Sequence, residues 1–520
     1  MVDAPLLPVT VPRFDEGRYF EVDPKAQDAL KSGDAQNAFD HFLRFGIDEN
    51  KYAVVRRDGA ALACAVERVL VSESGFCLIL GWLVDEGCDP PRIKLTGGDF
   101  TVELPASAMF RHARKDVEEH VRGGAYDYGF VIFGQSPSKS LLKQSMLFQA
   151  NSLSGSFQAK VTPEIVSDKR LMDTLLQIIA TCEAHAGKQA AINNFLCEAS
   201  GKTLIHLFRT HVAASIAKPY IQTFRPRKVT SSFITVLFGS TEPIKLQPML
   251  FRAAGIDFGE WIYVCNSPED ADEVLRYARL MSDLYDVMIT VIVLGDNAGF
   301  GAANNVAIEH AASDRIFIIN PDVYPVAAYA SRMQHVLSQE SLGSTLWGGL
   351  LFYDDQNLMH SGMYMENDAF VRRNSLNRNN NAMFAPSGRL VRVEHFDKGV
   401  PFVERDWQKP KVVPAITGAV MVFEKSGFEK IGGFSTRYIY GHYEDADLSL
   451  RWEASVGSVC VHPDIRLVHL EGQGSRARGE EYRGASTANR YFFTAAHGSY
   501  LDAHSAESGP SQRQATKARK

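Results

Sequence analysis

A chain of 520 residues exceeds what one hydrophobic core ordinarily holds, so two or more domains are expected. Hydrophobic residues at 45% and charged residues at 22% are proportions usual for a globular protein in water, and a net charge of −6 excludes a general attraction to nucleic acid. The seven cysteines are scattered, without a C-x-x-C pair or metal-ligand spacing, which reads as reduced thiols in the cytoplasm.

Residues 14–52 carry short helical signals, with Phe39, Phe42, Leu43 and Ile47 at helical spacing and Gly33 and Gly46 as stops. They define a helical module over 1–58. No basic stretch followed by an apolar one marks a secretory leader at the start. Short apolar runs at 76–83, 93–95, 100–104 and 130–133, separated by turn residues, predict a β-sandwich-like module over 59–160. The stripe Leu171, Leu175, Leu176, Ile179 and Cys182 predicts a helical connector, and Arg225-Pro226-Arg227-Lys228 reads as the linker closing the region 161–228.

From Phe233 the pattern becomes strand–helix alternation, which predicts a mostly parallel α/β sheet with helices on both faces over 229–500. The longest apolar run, 287–294, is interrupted by Thr290 and is too short to span a membrane. Residues 501–520 are polar and lysine-rich and are expected to be disordered.

Ligands of open parallel sheets bind at the carboxyl ends of the strands, and the unusual residues of this domain fall there. After the third strand comes Gly295-Asp296-Asn297-Ala298-Gly299-Phe300-Gly301-Ala302-Ala303-Asn304-Asn305. Its glycines admit close backbone approach, and the helix that follows offers N–H groups to an anion. The loop alone leaves three readings open: a sugar-nucleotide loop, a structural turn, or a nicotinamide-dinucleotide fingerprint with Asp322 as its ribose acid. Asn304 in place of the third glycine and Pro321 before Asp322 count against the last. After the fourth strand, Asn320-Pro321-Asp322 supplies a carboxylate suited to a metal beside a diphosphate. Glu444-Asp445-Ala446-Asp447 places acids in the first turn of a helix, where dipole complementation alone would also favour them. His469 follows an apolar strand.

The succession N-x-G-F-G-x-A-N-N, N-P-D-V, T-G-A with G-G-F, E-D-x-D-L-x-L-R and H-x-x-G resembles the inverting family-two glycosyltransferases, notably their rhamnosyl- and galactofuranosyl-transferase-like branch. The resemblance covers residues 233–475 and implies a GT-A nucleotide-sugar-binding fold. It implies Asp445 as catalytic base with Glu444 beside it, and Asp322 with His469 as ligands of Mg²⁺ or Mn²⁺. Asn266, Asn297, Gly299, Gly301, Asn304 and Asn320 would line the donor pocket, and Trp347, Gly418 and Asp447 the acceptor side. Cys265 before Asn266 and Phe238-Gly239-Ser240-Thr241-Glu242 depart from the family pattern, so the base of the nucleotide is not legible. The N-terminal modules are similar to accessory modules of bacterial surface-polysaccharide enzymes, with Trp82 read as a core residue of the sandwich.

The resemblance thus implies a metal-dependent inverting transfer from a nucleoside-diphosphate sugar to a glycan or lipid-linked acceptor. By analogy that acceptor brings a cytoplasmic protein to the inner face of the cell membrane. Two alternatives use fewer of these residues: a non-catalytic sugar-binding protein on the same scaffold, and an NAD-dependent oxidoreductase.

Overall fold

The computed structural model describes residues 19–20, 23–41, 62–85, 92–104, 108–112, 114–118, 128–136, 144–152, 155–183, 192, 195–196, 199–354, 356–369, 389–470 and 479–505. Several sequence readings lie outside these residues: Phe42, Leu43, Gly46 and Ile47, Gly472 of the H-x-x-G motif, and 506–520 of the tail. The chain divides into two compact units, 1–207 with 368–390, and 208–367 with 391–520.

In the first unit the helix Lys25–Ser32 ends at Gly33, whose φ of 82° is a left-handed cap that glycine adopts without strain. The strands are β1 (Leu62–Ser72), β2 (Phe76–Asp85), β3 (Arg92–Thr96), β4 (Thr101–Leu104), β5 (Met109–His112), β6 (Gly129–Gln135), β7 (Met146–Ser152), β8 (Gly155–Val161) and β9 (Glu164–Val166). They form two sheets, ordered β5-β6-β2-β1-β9 and β4-β3-β7-β8. Both sheets bury side chains in one core that includes Val71, Ile79, Ile93, Phe130 and Phe148. The four strand readings fall on β2, β3, β4 and β6. β1 escaped them because Glu67 sits at a bulge, where the register against β2 slips between Val66 and Arg68 and the alternation breaks. Trp82 is half-buried against Val84, Val117 and Tyr128.

The second unit carries β10 (Tyr220–Phe224), β11 (Ser232–Leu237), β12 (Glu260–Cys265), β13 (Met288–Val293), β14 (Arg315–Ile319), β15 (Val323–Pro325), β16 (Leu346–Phe352), β17 (Leu358–His360), β20 (Lys411–Val412), β21 (Val420–Glu424) and β22 (Val459–His469). Between β17 and β20, the strands β18 (Met363–Ala369) and β19 (Arg389–His395) pair with each other. The main path runs β10-β13-β12-β11-β14-β21-β16-β22-β15. β13, β12, β11 and β14 are parallel neighbours. Every residue of β11 and β12 is buried, which is why SFITVL and EWIYVC read as near-continuous apolar runs.

The chain winds outward from β11 through β12 to β13, then crosses back to place β14 on the other side of β11. That reversal opens a crevice at the carboxyl ends of β11 and β14, the place where open α/β sheets hold ligands. The boundary at 229 drawn from sequence falls inside this unit. β10 pairs antiparallel with β13, and the last turns of the helix Ala199–Ile216 bond the glycine-rich loop: Ser215 O accepts from Gly295 N at 2.8 Å, and His211 Nε2 meets Asn297 O at 2.9 Å.

Candidate active site

Asp322 and His469 lie 147 residues apart but share one corner, because β15 pairs antiparallel with β22 and sets Val323 opposite His469. The backbone N–H of Leu470 donates to Asp322 O at 2.9 Å, and His469 Nε2 stands 3.1 Å from Asp322 Oδ1. His469 is 8% exposed, and its other ring nitrogen, Nδ1, is buried without a hydrogen-bond partner. A buried imidazole nitrogen without a partner is costly; here it is the ring nitrogen opposite the one that faces Asp322. No group of three or more metal-ligating side chains occurs among the described residues.

Asp445 opens the helix Glu444–Ser455. Its Oδ2 accepts the N–H of Gly418 at 2.9 Å, and its Oδ1 accepts the N–H of Ala446 at 2.8 Å. Burial pushes the Asp445 carboxyl above the usual range, against the two N–H groups and the nearby charge of His395, which lower it. The residue after Gly418, Ala419, accepts from Asn320 N at 3.0 Å. Asp445, Gly418, Asn320 and Asp322 therefore follow one another along a single sheet edge.

Gly418 is closely enclosed. A Cβ there would stand 3.0 Å from the Phe300 ring and 3.6 Å from Asp445 Cβ. Two histidines extend the cluster. His360 Nδ1 lies 2.8 Å from His395 Nδ1, while His360 Nε2 accepts from Gly362 N at 3.2 Å. That acceptance leaves the proton of neutral His360 on Nδ1, pointing at His395. Burial, then the charges of His395 and His469, hold the His360 pKa well below its usual value.

The glycine-rich loop is arranged differently from the sequence expectation. Three of its N–H groups are taken up within the protein: Ala298 N donates to Asn266 Oδ1 at 2.9 Å, Gly299 N to Asn297 Oδ1 at 2.9 Å, and Phe300 N to Tyr440 O at 2.7 Å. Gly299 has φ +80°, and a Cβ there would come within 3.0 Å of Tyr440 Cα. A Cβ on Gly301 would meet Phe434 Cβ at 3.0 Å. The glycines admit another stretch of the protein, so close approach is indeed their role, but the approaching backbone is its own. A pyrophosphate on those N–H groups, as the dinucleotide reading requires, would have to displace these bonds.

Asn266 and Asn297 act as framework, with Asn266 Nδ2 donating to Asn297 Oδ1 and Asn297 Nδ2 to the hydroxyl of Tyr482, both at 2.8 Å. Asn304 is wholly buried and bonds Phe300 O within its own helix. Its neighbour Asn305 bonds both the N–H and the carbonyl of Phe434, tying the N-N end of the loop motif to the G-G-F turn.

The acceptor-side candidates separate. Gly418 is in the cluster. Asp447 is 2% exposed and taken up by Tyr438, Arg451 and His497 at 3.0, 2.7 and 2.8 Å. Burial would raise its carboxyl, but the bonds from His497 and Arg451 hold it below the usual range. Trp347 pairs with Cys460, whereas Phe352 pairs with Val468 beside His469. Five residues of strand put Trp347 about 17 Å from that end, with its indole donating to Leu342 O.

Residues 400–471 match the family model described as "N-terminal domain of galactosyltransferase". The matched segment includes Gly418, Glu444, Asp445 and His469. No curated protein matches the chain. Among solved structures it is similar to GalNAc-T7 with UDP, GalNAc and Mn²⁺ (14% identity, TM-score 0.35, 52% of this chain and 50% of that one). It is also similar to the mannosyltransferase PcManGT from Pyrobaculum calidifontis in complex with GDP-Man and Mn²⁺ (14% identity, TM-score 0.31, 66% of this chain and 91% of that one). The chain thus spans half the length of the first of these.

Sequence reasoning missed the elements that hold the site. Asn489, on the helix Glu480–Ser505, donates through Nδ2 to Ile439 O at 2.9 Å and Gly441 O at 2.7 Å, and accepts Ile439 N at 2.8 Å. His395 and His211 were likewise unread. A lone Asn or His in a helical or polar stretch carries no periodic signal by which sequence could single it out. No helix of the described residues is long and apolar enough to cross a membrane.

Proposed function

We propose that the second unit is a metal-dependent inverting glycosyltransferase, which moves a hexosyl group from a nucleoside-diphosphate sugar to a hydroxyl of a glycan or lipid-linked acceptor. The observation that carries this reading is the single sheet edge shared by Asp445, held by Gly418 N–H, and the Asp322–His469 pair. The family-model match over 400–471 supports it independently.

Asp445 is the general base. Its raised pKa makes the carboxylate a better proton acceptor, and the N–H groups of Gly418 and Ala446 fix the orientation of its two oxygens. The acceptor oxygen loses its proton to Asp445 as it bonds to the anomeric carbon, and the bond to the diphosphate breaks on the opposite face. Configuration inverts because the displacement is single.

Asp322 and His469 would hold the divalent cation, whose charge offsets that growing on the leaving diphosphate. One carboxylate oxygen with one imidazole nitrogen favours Mn²⁺ over Mg²⁺, and two protein ligands leave coordination positions for phosphate oxygens and water. Asn320 lies at the crevice beside them and is assigned to the donor. The proposed setting is the cytoplasmic face of a bacterial membrane during surface-polysaccharide synthesis, carried over from the sequence resemblance.

The test is a panel of UDP-, GDP- and dTDP-sugars with Mn²⁺, read as nucleoside-diphosphate release. One donor should be turned over by the wild type, with release at least 100-fold slower in Asp445→Asn. Equal release by wild type and Asp445→Asn refutes the base assignment. Reduction of NAD by the protein, or absence of any release with every donor and a sugar acceptor present, refutes the transferase reading.

A further inference from the structure

The Glu444-Asp445 pair is delivered by a turn that L-amino acids adopt reluctantly. Tyr440, His442 and Tyr443, none of them glycine, have φ of +58°, +77° and +74°. Left-handed backbone in three of four consecutive positions persists only where surrounding contacts over-determine it, and such stretches cluster at functional sites. One set of contacts comes from the helix Glu480–Ser505, besides the Phe300 N–H that donates to Tyr440 O. Asn489 is wholly buried and bonds the backbone just before and within the turn: Ile439 N and O, Gly441 O, and His442 O at 3.3 Å.

Seven residues earlier, two helical turns away, the ring of Tyr482 lies 4.9 Å from that of Tyr440, and its hydroxyl accepts Asn297 Nδ2. Eight residues after Asn489, His497 bonds Asp447. The helix thus holds the glycine-rich loop, the strained turn and the acidic helix with three side chains on one stripe.

We infer that Asn489 is a positioning residue: its carboxamide clamps the left-handed turn 440–443 and thereby fixes where Asp445 stands relative to the Asp322–His469 corner. The inference rests on the transferase reading for its consequence in catalysis, but not for the clamp itself. A carboxamide is suited to the task because it donates and accepts at once. Aspartate keeps the shape and loses the donors, so the carbonyls of Ile439, Gly441 and His442 would face a carboxylate.

The experiment uses the full chain with Asn489→Ala, Asn489→Asp and the double variant Asn489→Ala/His442→Gly. Two readouts are taken: amide hydrogen exchange over 439–446, and nucleoside-diphosphate release from the panel donor with Mn²⁺. Both single variants should exchange at least tenfold faster over 439–446, with amides of β11 and β12 unchanged. Release should fall at least tenfold at saturation, while the half-saturating donor concentration moves less than twofold.

Glycine at 442 tolerates the left-handed conformation without a clamp, so the double variant should recover at least threefold in rate. A residue that merely supported the fold would not be rescued in that way. Unchanged exchange over 439–446 overturns the inference, and so does acceleration spread equally over β11 and β12. A single variant that releases at the wild-type rate overturns the catalytic consequence. A wild type that releases nothing from any donor refutes the transferase reading, while the exchange measurement still decides the clamp.

Discussion

Replacing Gly299 by alanine separates two roles for the glycine-rich loop. Gly299 and Gly239 have similar left-handed φ values, +80° and +68°, so alanine at either pays the same backbone penalty of about 1–2 kcal/mol. Their surroundings differ. A Cβ at Gly239 meets nothing within 4 Å, whereas at Gly299 it comes within 3.0 Å of Tyr440 Cα, 3.1 Å of Tyr440 O and 3.2 Å of the Phe208 ring. Two of those three are backbone atoms and cannot rotate aside, so an overpacking cost of about 1–3 kcal/mol is added.

Gly299→Ala is therefore expected to destabilise the second unit by about 2–5 kcal/mol and Gly239→Ala by about 1–2 kcal/mol. With a urea slope of roughly 3 kcal/mol/M for a unit of this size, the midpoints fall by about 1 M and about 0.5 M. Intrinsic fluorescence reads this unit selectively, since Trp261, Trp347, Trp407 and Trp452 belong to it and Trp82 alone to the other. Equal midpoints for the two variants would refute the packing argument. They would return the loop to the role of a ligand cradle, in which Gly299→Ala weakens nucleotide binding and leaves stability close to that of Gly239→Ala.

Three further outcomes are expected. Glu260 is buried in β12, and burial, opposed by Ser232 and Ala312 N–H, raises its carboxyl above the usual range. The protonated form is the one the fold favours, so its contribution is full below the unfolded pKa near 4.5 and is lost as pH rises through the folded value. Glu260→Gln should raise the thermal midpoint at pH 8 and leave it nearly unchanged at pH 4, and an equal effect at both pH values contradicts this. Arg466 is wholly buried, bonds Glu404 through both terminal nitrogens and stacks 4.3 Å from the Tyr329 ring centroid. Arg466→Ala should cost about 3 kcal/mol, chiefly through the cavity it leaves, since Glu404 keeps Arg332 as a partner at 2.9 Å, and a loss under 1 kcal/mol by urea titration would show the Arg466 packing to be dispensable. Tyr482→Phe removes only the hydroxyl that accepts Asn297 Nδ2 and should cost about 1 kcal/mol in the same titration; an unchanged midpoint would show that bond to contribute nothing.

The parallel part of the sheet was legible because strands buried on both faces are continuously apolar: Phe233 onward, Trp261 onward and Ile316 onward all lie on β11, β12 and β14. β10 was hidden, since Tyr220-Ile221-Gln222-Thr223-Phe224 is a half-exposed edge strand with no apolar run. Within the site, the motif order placed Asp322, Gly418, Asp445 and His469 in the right strands and turns, and pairing of β15 with β22 brought the first and last together. What pattern could not supply was the partner of each polar group. Gly299 reads identically whether it admits a phosphate or the backbone of Tyr440, 141 residues away. Asp447 looks like Asp445 in sequence, yet only the latter is left with main-chain donors, because His497, Arg451 and Tyr438 converge on the former. Asn489 has no signal at all, although it bonds Ile439 N, Ile439 O and Gly441 O.

The most direct test of the central claim is calorimetric titration of UDP and of GDP, with and without Mn²⁺, into the wild type, Asp322→Ala and Asp445→Asn. If the Asp322–His469 corner holds the cation and Asp445 the proton, one nucleotide binds only with Mn²⁺. Asp322→Ala then weakens it at least tenfold, and Asp445→Asn binds within twofold of the wild type. Binding that ignores Mn²⁺, or that survives Asp322→Ala unchanged, contradicts the account.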